Sequence, residues 1–158
     1  MDQPTNSQSP VANELAVRTP FSAPTQVGDV MTRDSMTMLP DQSFAEVVGM
    51  MANSSFRHVL VVDADRQLHG VISDRDVLRA LSRTPDWSKK SVSEIMTSEP
   101  LTASPGMPIS VAIKSMLAMR INCLPVIDAE GRVCGILTST DLLTAYENIQ
   151  TRLEESVL

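Results

Sequence analysis

Two short segments combine residue types that could bind a ligand. They read GVISDRD, from Gly70 to Asp76, and GILTSTD, from Gly135 to Asp141, and each places an aspartate three positions after a hydroxyl residue. A carboxylate can accept hydrogen bonds from two neighbouring hydroxyl groups, which is what a ribose presents. Free amides and a hydroxyl at the start of a helix suit a phosphate. The pattern therefore allows a nucleotide site at each of the two segments.

The same residues also have the spacing of a helix cap. Ser73 with Asp76, and Thr138 with Asp141, match a capping box, in which a hydroxyl residue and an acidic residue satisfy amides at a helix start. Such a cap stabilises a helix by about 1 kcal/mol, and the acidic group also suits the positive end of the helix dipole. The residues alone leave both interpretations open.

The elements that must position these segments occur twice along the chain. Residues 27–81 match residues 92–146 without a gap at an offset of 65, as from Met31 to Met96 and from Asp63 to Asp128. Self-similarity at a fixed offset indicates a tandem duplication.

Each repeat predicts the element order β-α-β-β-α. The apolar positions 44, 47, 48 and 51 have helical spacing, and apolar runs separated by polar turns predict a hairpin after the helix. The predicted helices are Ser43–Met51, Asp74–Arg83, Ile109–Met119 and Ser139–Leu153, and the predicted hairpins join Val59–Val62 to Leu68–Ile72 and Leu124–Ile127 to Val133–Leu137. Because one such unit leaves a sheet face exposed, we expect an α+β fold in which the two repeats pack sheet against sheet.

The predicted organisation has five parts. Residues 1–25 are rich in Pro, Ser, Thr and Gln and are expected to be a disordered or loosely ordered tail. Repeat 1 covers 26–83, a linker covers 84–90, repeat 2 covers 91–147, and a C-terminal helical extension covers 148–158.

Charge and hydropathy exclude several partners. A net charge of -6 and a pI near 4.8 argue against general binding to nucleic-acid phosphates. No apolar run approaches the roughly 18 to 20 residues that span a bilayer. The first residues lack a basic start and an apolar core, so no secretory signal is predicted and a cytoplasmic location is expected.

No catalytic or metal centre is expected. Cys123 and Cys134 lack the spacing of a zinc site, and two thiols cannot complete one. His58 and His69 have no serine, cysteine or aspartate placed to complete a nucleophilic site. The chain is therefore not expected to be an enzyme.

The motifs, in order and twice, resemble a CBS-domain pair, also called a Bateman module. The resemblance rests on the V-M-T entry segment, T-x-x-P before the first helix, the strands V-L-V-V-D and L-P-V-I-D, and G-h-h-[ST]-x-x-D, in which h is apolar. It covers residues 27–146 and implies two repeats related by a pseudo-twofold axis. It also implies an adenosine ligand such as AMP, ADP, ATP or S-adenosylmethionine, with no cofactor required.

The resemblance also implies which residues bind. In the family the aspartate holds the ribose hydroxyls, the Ser/Thr supports ribose or phosphate, and the entry segment and the residues before the middle strand frame the adenine. The candidates are Ser73, Arg75, Asp76, Thr138, Thr140 and Asp141 in the motifs, Met31 and Met96 in the entry segments, and Phe56, Arg57, His58, Ile121, Asn122 and Cys123 around the middle strands.

The copies differ in charge. Arg57 and Arg75 belong to repeat 1, whereas the second copy has Asn122 and Thr140 at those positions. Since a guanidinium can bind phosphate with two hydrogen bonds, we expect the cleft of Asp76 to be the better site for a phosphate-bearing nucleotide.

The predicted function is a regulatory one. Without a catalytic, channel or transporter domain on this chain, ligand binding is expected to act through a homodimer formed by the helices or through a separate protein partner. The alternative is a ligand-free structural or interaction module whose motifs serve only as helix caps.

Overall fold

The described part of the chain contains six strands and five α-helices. The computed structural model describes residues 21–157. The strands are β1 Thr37–Met38, β2 His58–Val62, β3 Leu68–Ser73, β4 Thr97–Ser98, β5 Cys123–Ile127 and β6 Val133–Thr138, and the helices are α1 Phe44–Asn53, α2 Asp74–Arg83, α3 Val92–Ile95, α4 Ile109–Met119 and α5 Ser139–Val157.

The predicted β-α-β-β-α order is confirmed in both repeats, with one local difference. In repeat 1 the first strand, β1, pairs in parallel with β2, Thr37 opposite Leu60. In repeat 2 the corresponding segment makes only a single parallel bridge, between Ala103 and Val126 of β5. The hairpins β2–β3 and β5–β6 are antiparallel and share the same irregularity in register.

The entry segments are exchanged between the repeats. Thr97 of β4, which leads into repeat 2, pairs with Val71 of repeat 1. Thr32, which leads into repeat 1, pairs with Ile136 of repeat 2. The turns before these two pairings also contact the other repeat. The amide of Val92 donates to the Gln42 carbonyl at 2.8 Å, and the amide of Val27 donates to the Met107 carbonyl at 2.9 Å. Each sheet is therefore completed by the other repeat.

The motif glycines permit this exchange. A Cβ at Gly70 would lie 2.7 Å from the carbonyl oxygen of Thr97, and a Cβ at Gly135 would lie 2.7 Å from that of Thr32. Real side chains do not approach backbone oxygens that closely, so these positions need glycine for the close passage of the entry segment.

The described part of the chain has three apolar clusters, and the middle one lies between the two sheets and confirms the predicted sheet-against-sheet packing. Leu60, Val71, Cys123 and Ile136 are part of the middle cluster, which contains residues of both hairpins. Alternate residues of the same strands pack on the helices, in one outer cluster for each repeat. The outer clusters include the exchanged residues: Val92 lies in that of repeat 1 and Val27 in that of repeat 2, and neither is exposed.

The predicted N-terminal tail is attached at its end. Residues 1–20 lie outside the described part of the chain, but the Thr25 carbonyl accepts a hydrogen bond from the amide of Ile109 at 3.0 Å. The first amides of a helix have no partner within the helix. The Thr25 carbonyl satisfies one of these amides and so attaches the end of the tail to the start of α4. At the other end, the predicted extension is the uninterrupted continuation of α5 to Val157.

Candidate functional site

Asp76 uses its two carboxylate oxygens differently. Oδ2 accepts hydrogen bonds from the amide of Ser73 at 2.8 Å and from its hydroxyl at 2.7 Å, which completes the cap of α2. Oδ1 accepts a hydrogen bond from Arg79 at 3.2 Å. The cap therefore occupies one oxygen and leaves the other to groups that line the cleft beside the helix.

Asp141 repeats this arrangement with a different neighbour. Its Oδ2 accepts from the amide and hydroxyl of Thr138 at 2.7 and 2.8 Å. Its Oδ1 accepts from the hydroxyl of Thr32 at 2.7 Å, a residue of the exchanged entry segment. Because a carboxylate oxygen has two lone pairs, Oδ1 of either aspartate can accept a further hydrogen bond from a ligand.

The cleft that contains Asp76, here called the Asp76 cleft, has a volume of about 620 Å³. Three stretches of chain form most of it: the motif and first turns of α2, the exchanged segment from β4 onwards, and the end of α4 with the start of β5. His58 of β2 and Val71 of β3 complete it. Its lining residues are His58, Val71, Ser73, Asp74, Arg75, Asp76, Leu78, Arg79, Thr97, Glu99, Pro100, Leu101, Met119, Arg120, Ile121, Asn122 and Cys123.

The corresponding Asp141 cleft has a volume of about 490 Å³. Its lining residues are Thr32, Asp34, Ser35, Met36, Ser55, Phe56, Arg57, His58, Asp74, Asn122, Ile136, Thr138, Ser139, Thr140, Asp141 and Leu143. Each cleft therefore combines the motif of one repeat with the middle-strand approach of the other. His58, Asp74 and Asn122 line both clefts and form their common wall.

This crossing corrects one prediction from the sequence. Arg57 and Arg75 were expected in one cleft, but Arg57 lines the Asp141 cleft and Arg75 lines the Asp76 cleft. The expectation failed because it assigned each cleft to a single repeat. Arg57 instead faces Asp74, with Nε 3.7 Å from Oδ2.

The other candidates divide in the same way. Ser73, Ile121 and Cys123 line the Asp76 cleft, and Phe56, Thr138 and Thr140 line the Asp141 cleft. Met31 and Met96 line neither, because their side chains pack into the outer clusters beside the motif glycines.

Sequence reasoning missed several residues that line the clefts. Leu78 and Leu143 follow the motif aspartates by two positions and are 68% and 69% exposed. They place exposed apolar surface at equivalent positions in the two clefts. Arg79 and Arg120 add guanidinium groups to the Asp76 cleft. The signal for Leu78 and Arg79 was their spacing from Asp76 along a helix, which places them near the same helix end.

Burial shapes the titration of two groups in the clefts. It lowers the pKa of His58 below its ordinary value, although the carboxylates of Asp74 and Asp76 act in the opposite direction. It raises the pKa of Cys123 to about 12, and the charge of Asp76 adds to this effect. Burial therefore favours the neutral form of His58 and the thiol form of Cys123.

The structure shows neither a metal centre nor a membrane span within residues 21–157. No group of three His, Cys, Asp or Glu side chains in this range is placed to hold a metal ion. None of the helices in the same range is both long enough and apolar enough to cross a membrane.

The repeated fold and its paired clefts define the class of protein. The CBS domain family model matches residues 27–83 and 92–148. This chain therefore belongs to the CBS-domain family and carries a tandem pair of CBS domains.

Solved CBS pairs have the same fold. AcuB from Vibrio cholerae superposes with a TM-score of 0.73 at 29% identity, over 82% of this chain and 96% of that one. The CBS pair of MJ0100, solved in complex with 5′-methylthioadenosine and S-adenosyl-L-methionine, gives 0.71 at 29% identity, over 78% and 97%. CBSX2, solved in complex with AMP, gives 0.70 at 28% identity, over 79% and 98%.

Curated relatives include much longer enzymes. Homoserine O-acetyltransferase of Methanohalobium evestigatum is 33% identical over 80% of this chain but only 25% of its own length. Inosine-5′-monophosphate dehydrogenase of Methanocaldococcus jannaschii is 32% identical over 73% of this chain and 22% of its own. This chain thus spans about a quarter of the length of these relatives.

Proposed function

We propose that this CBS pair is a regulatory module that binds an adenine nucleotide or S-adenosylmethionine in its clefts and is not itself an enzyme. The observation that carries the proposal is that the two carboxylate oxygens of Asp76, and likewise those of Asp141, have different surroundings. In each, Oδ2 is committed to the helix cap while Oδ1 is held among residues that line the cleft. The capping residue Glu94 divides its oxygens in the same way, with Oε1 on Lys90, but it lines neither cleft, so the cleft beside Oδ1 is what distinguishes Asp76 and Asp141.

The surroundings of each aspartate support an adenosine ligand. Ribose hydroxyls would donate to Oδ1, and the base would pack on the exposed face of Leu78 or Leu143. The cleft volumes, about 620 and 490 Å³, lie within the roughly 300–1,000 Å³ of small-molecule sites. The neighbours MJ0100 and CBSX2, solved with adenosine compounds, support the same ligand class.

The effect of the ligand is proposed to pass to a second copy of this chain, or to a separate protein partner, in the cytoplasm. Exposed apolar side chains on the helices, such as Leu117 and Tyr146, offer surface for such an association. A ligand shifts an assembly only by its differential affinity for the two states. The enzymes among the relatives, of which this chain matches a minor part, also fit a regulatory role.

Thermal unfolding with AMP, ADP, ATP, S-adenosylmethionine and NAD tests the proposal. A ligand at 100 times its Kd adds about 2.7 kcal/mol to the free energy of unfolding. For a chain of this size, that raises the Tm by roughly 5 to 10 °C. We expect at least one of these compounds to produce such a shift and Asp76→Ala or Asp141→Ala to abolish it. ATP should not be turned over during the incubation.

Glu94→Ala is the matched control. Glu94 completes a capping box with Ser91, its carboxylate accepting from the Ser91 amide at 2.8 Å, but it lines neither cleft. All three variants should lose a cap, which costs about 1 kcal/mol, but only the Asp76 and Asp141 variants should lose the ligand response. If no compound moves the Tm and all three variants are merely less stable, the alternative of a ligand-free interaction module replaces this proposal.

A further inference from the structure

We infer that the two clefts select adenosine compounds by charge. The Asp76 cleft takes a compound that carries phosphate, and the Asp141 cleft takes one whose 5′ substituent is uncharged or cationic. This inference rests on the proposed function and deepens it by assigning a ligand class to each cleft.

The first observation is an asymmetry at equivalent positions. Arg75, Arg79 and Arg120 line the Asp76 cleft. At the offset of 65 between the repeats, their counterparts are Thr140, Thr144 and Ser55. The packing of the two repeats against each other brings Arg120 of repeat 2 into the same cleft as the two arginines of repeat 1, so the cluster arises only in the folded chain.

The second observation is the charge balance of the two linings. In the Asp76 cleft these three arginines face the three carboxylates of Asp74, Asp76 and Glu99. In the Asp141 cleft Arg57 alone faces the three carboxylates of Asp34, Asp74 and Asp141. His58 is common to both linings, and burial favours its neutral form. An anion therefore meets a balanced lining in the first cleft and an excess of negative charge in the second, where like charges oppose its binding.

The third observation is which guanidinium groups are available. Arg57 is paired with Asp74 at 3.7 Å, and Arg79 with Asp76 at 3.2 Å. Within residues 21–157, no carboxylate lies within 4.0 Å of the guanidinium of Arg75 or of Arg120. These two side chains can engage a phosphate with paired hydrogen bonds without first breaking an ion pair.

The Asp141 cleft offers hydroxyl groups instead. Thr32, Ser55, Thr138 and Thr140 all line it. Ser35, in the same lining, has a buried hydroxyl oxygen without a hydrogen-bond partner in the described part of the chain. Neutral donors and acceptors beside excess carboxylate suit a thioether or a sulfonium better than a phosphate.

Calorimetric titration of the full chain with AMP and with 5′-methylthioadenosine tests the assignment, because the two ligands share the nucleoside and differ at the 5′ group. We expect Asp76→Ala to abolish AMP binding and leave 5′-methylthioadenosine binding intact, and Asp141→Ala to do the reverse. Loss of each ligand equally in both variants would overturn the inference.

Exchanging arginines for their counterparts tests the cause while Asp76, Asp141 and their capping hydrogen bonds stay in place. The double variant Arg75→Thr/Arg120→Ser should weaken AMP at least about tenfold, reduce the salt dependence of AMP binding, and leave 5′-methylthioadenosine unchanged. Arg83→Ser, which changes an arginine of α2 outside both clefts, is the control and should leave both affinities unchanged.

The outcomes separate this inference from the proposed function. If both ligands bind the wild-type chain but the double variant binds AMP as tightly as before, the charge assignment is wrong and the proposed function stands. If neither ligand binds, and no other adenosine compound does, the proposed function fails and the assignment fails with it.

Discussion

At the scale of single residues, the helix caps of Asp76 and Asp141 leave one carboxylate oxygen of each side chain outside the cap. A carboxylate has two oxygens, and the cap uses only Oδ2. The neighbour that approaches Oδ1 differs between the copies: the guanidinium of Arg79 in one, the hydroxyl of Thr32 in the other. The two clefts thus differ at the atom expected to hold the ribose.

His58 should make stability depend on pH. Burial lowers its folded pKa below the ordinary value of 6.5, against the pull of Asp74 and Asp76 and with a minor contribution from Arg57. Between the folded pKa and 6.5 the unfolded chain binds the proton more readily, so the free energy of unfolding falls as pH drops through that window. We expect His58→Asn to lose less stability than wild type between pH 7.5 and 5.5, measured by urea denaturation. An unchanged loss in the variant would show that His58 does not cause it.

At the scale of elements, the entry segments decide the architecture. Each contributes a turn to a core and an edge to a sheet in the other repeat. They pass over Gly70 and Gly135, and the two hydroxyl–aspartate motifs begin at the same glycines. The close approach of the entry-segment backbone therefore explains why each motif begins with glycine.

Alanine at Gly70 should be destabilising. The added Cβ would lie 2.6 Å from the sulfur of Met96 and 2.7 Å from the Thr97 carbonyl, and the backbone oxygen cannot move without opening the β3–β4 pairing. We expect a loss of about 1–3 kcal/mol in the free energy of unfolding, with a similar loss for Gly135→Ala.

Gly49→Ala is the control for these substitutions. Gly49 lies inside α1, where an added Cβ would meet nothing within 4 Å. It should stabilise the chain by about 0.4–1 kcal/mol, because alanine has less freedom to lose on folding. A neutral Gly70→Ala in the same urea titration would contradict the close approach of the entry segment.

At the scale of the whole molecule, the two outer cores do not coincide with the two sequence repeats, because each core includes residues of both repeats. The cluster around Phe44 and Ile72 of repeat 1 includes Val92, and Ile95 and Met96 pack against it. The cluster around Leu124 and Leu137 of repeat 2 includes Val27 and Met31. Neither repeat can therefore complete its outer core from its own residues.

Two fragments of equal length test this interleaving. Residues 33–98 keep the core of repeat 1 with its exchanged segment, whereas residues 25–90 keep repeat 1 with an entry segment that has no core to enter. Both fragments keep Trp87, which packs against that core. Both leave the same inner sheet face uncovered. Since a fully buried apolar side chain contributes about 1.5–3 kcal/mol, 33–98 should melt at the higher temperature and protect more amides from hydrogen exchange. Equal stability of the two fragments would contradict the exchange as a source of stability.

Local spacing in the sequence determined much of this protein. The helical periodicity before Asn53 and the hydroxyl–aspartate spacing of the motifs depend on neighbours a few residues apart, so α1, α2 and both caps were predicted. The offset of 65 between Met31 and Met96 likewise predicted the repeated fold. Only the tertiary structure decided which repeat each entry segment completes, and that Arg57 lines the Asp141 cleft while Arg120 lines the Asp76 cleft. The two repeats have nearly the same local pattern, so either sheet could accept either segment by that pattern. The choice depends on contacts between residues far apart in the chain, which local spacing does not encode.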